Sequence, residues 1–84
     1  MSYFVYILKC ADGTLYTGIT NGLESRVASH NSGKAAKYTS GRAPVELVYK
    51  EICADKSSAL KREHEIKKMK REAKLKMVAE WQEC

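Results

Sequence analysis

The sequence predicts an α+β fold, a small three-stranded antiparallel sheet flanked by helices in the order β-β-α-β-α-α. Three observations carry this expectation. Tyr3 to Lys9 and Leu15 to Thr20 are rich in aromatic and β-branched residues and are joined by Ala11-Asp12-Gly13, a hairpin pattern. A third run of that type, Val45 to Ile52, follows a polar stretch. The remaining segments have helical spacing and helix-forming composition.

Each element has its own signal. Asn21-Gly22 breaks the chain after the second strand, and Leu23 to Asn31 reads as a short helix stopped by Gly33. Lys34 to Pro44 reads as a basic, polar loop. Asp55 or Ser57 can cap a helix from about Ser58 to Lys70, and helix formers continue from Arg71 to Trp81 after a break. Residues 1–84 are expected to form one domain.

The hairpin turn decides which side chains meet. A two-residue turn at Asp12-Gly13 would put Tyr6 and Tyr16 on opposite faces. A three-residue turn pairs Tyr6 with Gly18 and Leu8 with Tyr16, so both tyrosines share a face. The longer turn is preferred because Gly13 supplies the one positive φ it needs.

Composition narrows the partners. Fifteen Lys and Arg stand against ten Asp and Glu, a formal charge of +5. That excess suits a polyanion such as DNA, RNA or an anionic membrane surface. The charge gathers in Lys61, Arg62, Lys67, Lys68, Lys70, Arg71, Lys74 and Lys76. Cys10, Cys53 and Cys84 form no zinc pattern, and an odd count without a signal peptide suits a reducing cytoplasm. The apolar run Val5 to Leu8 is far too short to cross a bilayer.

Several residues could carry chemistry. A lone strand tyrosine is usually a half-buried core residue, but two on one face beside Gly18 form a group. Gly18 weakens a strand interior, which is reasonable where something approaches the sheet closely. Arg26 and His30 are four apart and share a helix face. As a pair they could be a solvated surface, or a phosphate fork beside a proton carrier. Glu63 falls on the stripe Ala59, Leu60, Ile66 and Met69, which is expected to face the sheet. A carboxylate there needs either a basic partner such as Arg26 or a bound cation. Glu65 projects away from the stripe.

Together these residues resemble the GIY-YIG nucleases. Phe4-Val5-Tyr6, a hairpin and Tyr16-Thr17-Gly18 resemble the paired triplets that name the family, with Gly and Ile missing from the first and Thr17 replacing Ile in the second. Arg26 with His30 resembles its helix motif, and Glu63 falls where the family keeps a metal-binding glutamate. Ala36-Lys37-Tyr38-Thr39, Arg42-Ala43-Pro44-Val45 and Leu60-Lys61-Arg62-Glu63 resemble its small stand-alone members. The resemblance implies metal-dependent phosphodiester hydrolysis, with DNA expected over RNA, in repair or recombination. Glu63 would hold Mg²⁺ or Mn²⁺, and Arg26 would stabilise transition-state charge. Tyr6 or Tyr16 would orient or deprotonate water, with His30 sharing the proton work. A free tyrosine titrates near 10, so the cation and Arg26 would have to lower it for a basic role. Tyr38 could stand in for a loop histidine.

Lys34, Lys37, Tyr38, Arg42, Lys67, Lys68, Lys70 and Arg71 are the expected nucleic-acid contacts. No membrane partner is expected, and the oligomeric state is open. One alternative is a nucleic-acid-binding module that keeps the fold but cleaves weakly or not at all. Another is an adaptor whose Trp81 docks a partner.

Overall fold

The computed structural model describes residues 2–31 and 44–82. Its elements are β1 (Tyr3–Lys9), β2 (Leu15–Thr20), α1 (Leu23–Asn31), β3 (Glu46–Cys53), α2 (Lys56–Lys68) and α3 (Arg71–Gln82). The order β-β-α-β-α-α is the one the sequence predicts. The sheet runs β2-β1-β3 and is antiparallel throughout. β1 is therefore paired on both edges and covered on both faces, and Val5, Tyr6, Ile7 and Leu8 are all fully buried.

The hairpin uses the three-residue turn. Cys10 N–H donates to Thr14 O at 2.8 Å and Gly13 N–H to Cys10 O at 2.9 Å, with Gly13 at φ +86°. Asp12 holds the turn by accepting from Thr14 N at 3.1 Å and from Thr14 Oγ1 at 2.7 Å. The resulting register pairs Tyr6 with Gly18 and Leu8 with Tyr16.

Each face of the sheet has its own core. Val5, Ile7 and Val48 pack with Ala59 and Ile66 of α2 and Val78 of α3. On the other face Tyr6, Leu8, Cys10 and Val45 pack with Leu23 and Val27 of α1. The register of β3 shifts between Ile7 and Leu8, where Tyr49 pairs with Ile7 and Leu47 with Leu8. Val48 is the extra residue of this bulge. The bulge brings Leu47 and Lys50, three apart in sequence, to the α1 face opposite Leu8 and Tyr6.

Helix boundaries follow from local chemistry. Asp55 rather than Ser57 caps α2, accepting from Ser58 N at 2.8 Å, so the helix begins two residues before its expected start. α2 ends without Gly or Pro. Met69 turns to an extended conformation and its N–H bonds Ile66 O at 3.0 Å. Leu60 does not face the sheet as expected but is 45 % exposed, because Ala59 and Ile66 define a narrower buried stripe. Trp81 is partly buried against Tyr49, with ring centroids 6.4 Å apart.

Candidate active site

The hairpin register and α1 converge on the face opposite α2. Tyr6 and Tyr16 project together, with ring centroids 6.4 Å apart. His30, near the end of α1, closes the group, its ring 5.0 Å from Tyr16 and 6.0 Å from Tyr6. Tyr6 Oη lies 3.0 Å from His30 Nε2. Both side chains are fully buried, whereas Tyr16 and Arg26 are only partly so.

Two neighbours set this geometry. Gly18 opposes Tyr6, and a Cβ there would lie 2.7 Å from Tyr6 Oη and 2.9 Å from its Cζ. The close approach that the strand glycine allows is thus made by the Tyr6 phenol itself. Asn31, next to His30, clamps the end of α1 to the start of β3. Its Oδ1 accepts from Val45 N at 2.6 Å and its Nδ2 donates to Val45 O at 3.3 Å.

The protonation states follow from burial. Burial first, and the Arg26 charge second, hold His30 below its ordinary 6.5, so the imidazole is neutral at pH 7. Burial also raises Tyr6 above 10, and this outweighs the hydrogen bond from Arg26. The expected lowering of the tyrosine therefore does not occur at Tyr6. Its phenol keeps its proton, and the pair is a phenol bonded to a neutral imidazole. The Arg26 guanidinium reaches both tyrosine hydroxyls, and the Tyr6 contact chiefly strengthens its hold on its proton. Its Nε is buried with no hydrogen-bond partner among the described residues.

Glu63 lies on α2 and exerts the weakest of the influences on Tyr6. Its side chain is 18 % exposed. The partner expected from sequence was Arg26 or a cation. The observed partner is Lys67, with Nζ 3.5 Å from Oε2 one turn along the helix. A helix pair of this spacing contributes only about 0.3–0.5 kcal/mol, so another cation can displace it at small cost. Glu65 is 65 % exposed, as expected. Among the described residues no three His, Cys, Asp or Glu side chains gather as a metal-binding group. A single carboxylate fits Mg²⁺, which keeps several waters and takes one or two carboxylates plus substrate phosphate oxygens.

The remaining expected residues divide. Lys34, Lys37, Tyr38 and Arg42 lie outside the described residues. Lys67, Lys68, Lys70 and Arg71 are exposed around the α2–α3 break. Arg71 Nη2 donates to Gly13 O at 2.9 Å, so it braces the hairpin turn. Sequence reasoning missed Lys50, Asn31 and the polar corner Thr20-Asn21. Lys50 reaches Tyr6's face only through the β3 bulge, which no alternation pattern signals.

The profile of the GIY-YIG catalytic domain matches residues 2–76. The chain belongs to the GIY-YIG family. This is a nuclease family, so membership implies a nucleic-acid substrate, and its nucleases generally depend on a divalent metal. UPF0213 proteins of Staphylococcus haemolyticus and Natronomonas pharaonis are each 55 % identical to this GIY-YIG chain over 93 % of its length, covering 95 % and 92 % of their own. Two solution NMR structures share its fold. The UPF0213 protein BH0048 from Bacillus halodurans is 43 % identical with a TM-score of 0.61, covering 94 % of this chain and 84 % of its own. The protein EF2693 from E. faecalis is 37 % identical with a TM-score of 0.66, covering 98 % and 88 %. No helix among the described residues is long and apolar enough to cross a membrane.

Proposed function

We propose that this protein is a divalent-metal-dependent endonuclease that hydrolyses phosphodiester bonds of DNA, in repair or recombination, with residues 1–84 acting as one catalytic domain in the cytoplasm. The observation that carries this reading is the buried Tyr6–His30 hydrogen bond set against Arg26, whose Nε has no partner among the described residues. Burying an imidazole and a phenol costs free energy unless they are paired, and simple backbone binding requires neither.

The roles follow from exposure and charge. Arg26 grips the phosphate and stabilises the charge that grows on it in the transition state. Tyr16, the more exposed phenol, orients the attacking water. The water gives its proton to the more exposed Tyr16 Oη as Tyr16 passes its own inward to the buried Tyr6–His30 pair, where His30 Nε2 takes it up, so neither phenol carries charge. A new oxygen–phosphorus bond forms as the bond to the leaving sugar oxygen breaks, and that oxygen takes up the proton. The Arg26 charge that disfavours a protonated His30 keeps the imidazolium short-lived. Glu63 would hold the divalent cation, which when bound polarises the phosphate and steadies the leaving oxygen.

The test is incubation with labelled single-stranded, duplex and branched substrates, with and without Mg²⁺ or Mn²⁺. Cleavage should require the metal and vanish in Glu63→Gln with the circular dichroism spectrum unchanged. Glu65→Gln should cleave like the parent. Undiminished cleavage in excess chelator would sink the mechanism. The Lys67–Glu63 ion pair favours a second reading, a binding module in which Lys67 occupies the cation's place. Tight, salt-sensitive binding without cleavage in any metal would select it.

A further inference from the structure

A second concave feature lies at the β2–α1 corner. It is a polar depression of about 360 Å³ lined by Thr20, Asn21, Gly22, Ser25, Arg26 and Ser29. Its lining offers three hydroxyls, one carboxamide and one guanidinium, with no carboxylate among them. Asn21, Gly22 and Ser25 are exposed, so the depression opens to solvent. The nearest acid in sequence, Glu24, lines a separate groove on the opposite side of α1 with Phe4, Val27 and Lys50.

Three features make this corner suited to an anion. First, Arg26 lines the depression and also interacts with Tyr6 and Tyr16, so its charge lies between this corner and the Tyr6–Tyr16–His30 group. Second, the first amides of α1 have no partner within the helix, and Arg26 N–H bonding Gly22 O at 3.0 Å fixes that end of the helix here. Third, a side-chain hydrogen bond holds the corner. Thr20 Oγ1 accepts from Gly22 N at 3.1 Å, tying the end of β2 to the start of α1. Ser, Thr and Asn side chains and helix starts are the groups that hold nucleic-acid phosphates in register without reading sequence.

We propose that this depression binds the phosphate next to the scissile one on the same strand. Arg26 sits between the two phosphates, while Asn21 and Ser25 seat the outer one. This rests on the nuclease reading above and extends it. The corner does no chemistry. It sets which phosphate faces Tyr16 and His30, and so requires a substrate with at least two consecutive phosphates for tight binding.

Small chromogenic esters test this directly. One substrate is a nucleoside p-nitrophenyl phosphodiester, with a single phosphate. The other carries a second phosphate on the remaining sugar oxygen, and both isomers are made. For one isomer the second phosphate should lower the parent's KM by roughly tenfold, the low end for hydrogen bonds to a charged group, with little change in kcat. In the Asn21→Ala/Ser25→Ala double variant the ratio of the two KM values should fall to about one. These side chains are exposed, so circular dichroism should show the variant folded. No second-phosphate advantage in either isomer, or an advantage the variant keeps, would overturn the proposal. If neither ester is cleaved in any metal, the labelled nucleic-acid assay decides the nuclease reading and calorimetric binding of the same esters decides the site. A preference for the second phosphate that the variant loses would uphold it, and equal binding would reject it.

Discussion

A methyl group at position 18 would have to share space with the Tyr6 phenol, 2.7 Å from its oxygen. That phenol is fully buried and cannot swing into solvent. Gly18→Ala should therefore cost about 1–3 kcal/mol of stability, as overpacking does. It should also pull Tyr6 away from His30 and lower kcat more than it raises KM. A variant with parental kcat would show that the Tyr6–His30 contact is only structural. pH offers an independent probe of the same pair. His30 is held below 6.5, so the acid limb of kcat/KM should lie below pH 6.5. Between its folded pKa and 6.5 the unfolded chain binds the extra proton. Its stabilising contribution is full above 6.5 and declines as pH falls through that window. Thermal melts at descending pH should show this loss, and a His30→Gln variant should show less of it. An equally steep loss in both would assign the effect to the carboxylates instead.

At the level of elements, the active face depends on how α1 is fixed to the sheet. Asn31 makes two hydrogen bonds to Val45, at 2.6 and 3.3 Å, and positions the preceding His30. Asn31→Ala should cost about 1–3 kcal/mol for two bonds of about 0.5–1.5 kcal/mol each, with activity falling further than the melting temperature suggests. An Asn31→Asp variant should recover part of the activity, because it keeps the acceptor for Val45 N–H. Ile66→Ala, on the opposite face, should cost about 2–5 kcal/mol and leave kcat of the folded fraction unchanged. The same elements show what could be read from sequence. The hairpin register followed from Gly13 alone, because one positive φ selects the three-residue turn, and the meeting of Tyr6, Tyr16 and Gly18 followed from that register. The extent of the α2 stripe did not. Ala59 and Ile66 are buried while Leu60 is exposed, because helical spacing marks a face but not how wide a strip the sheet covers. Glu63's partner was equally hidden. The sequence pointed to Arg26 or a bound cation, and the partner is Lys67, one turn along the same helix.

Across the whole molecule, the net charge of +5 indicated a polyanionic partner but not which basic residues touch it. The structure divides the expected contacts by their existing bonds. Lys67 is paired with Glu63, and Arg71 is committed to Gly13 O. Lys68 and Lys70 are exposed with no ion pair among the described residues. Replacing Lys67, Lys68, Lys70 and Arg71 by Gln together should thus remove about two phosphate contacts rather than four. The slope of log affinity against log salt should shrink by roughly two, at about one unit per lost contact. Arg71→Gln alone should leave that slope unchanged and lower the melting temperature slightly, because its bond braces the hairpin carrying Tyr16. Saturating substrate should still be cleaved by the four-fold variant at near the parental rate, since Arg26 and Glu63 are intact. Arg26→Ala should differ, losing cleavage at saturation while the slope shrinks by only about one, for its single phosphate-binding side chain. An unchanged slope in the four-fold variant would move the backbone contact to Lys34, Lys37 and Arg42. A loss of cleavage at saturation would instead place Lys67 in the chemistry, where release from Glu63 lets its ammonium meet the substrate phosphate.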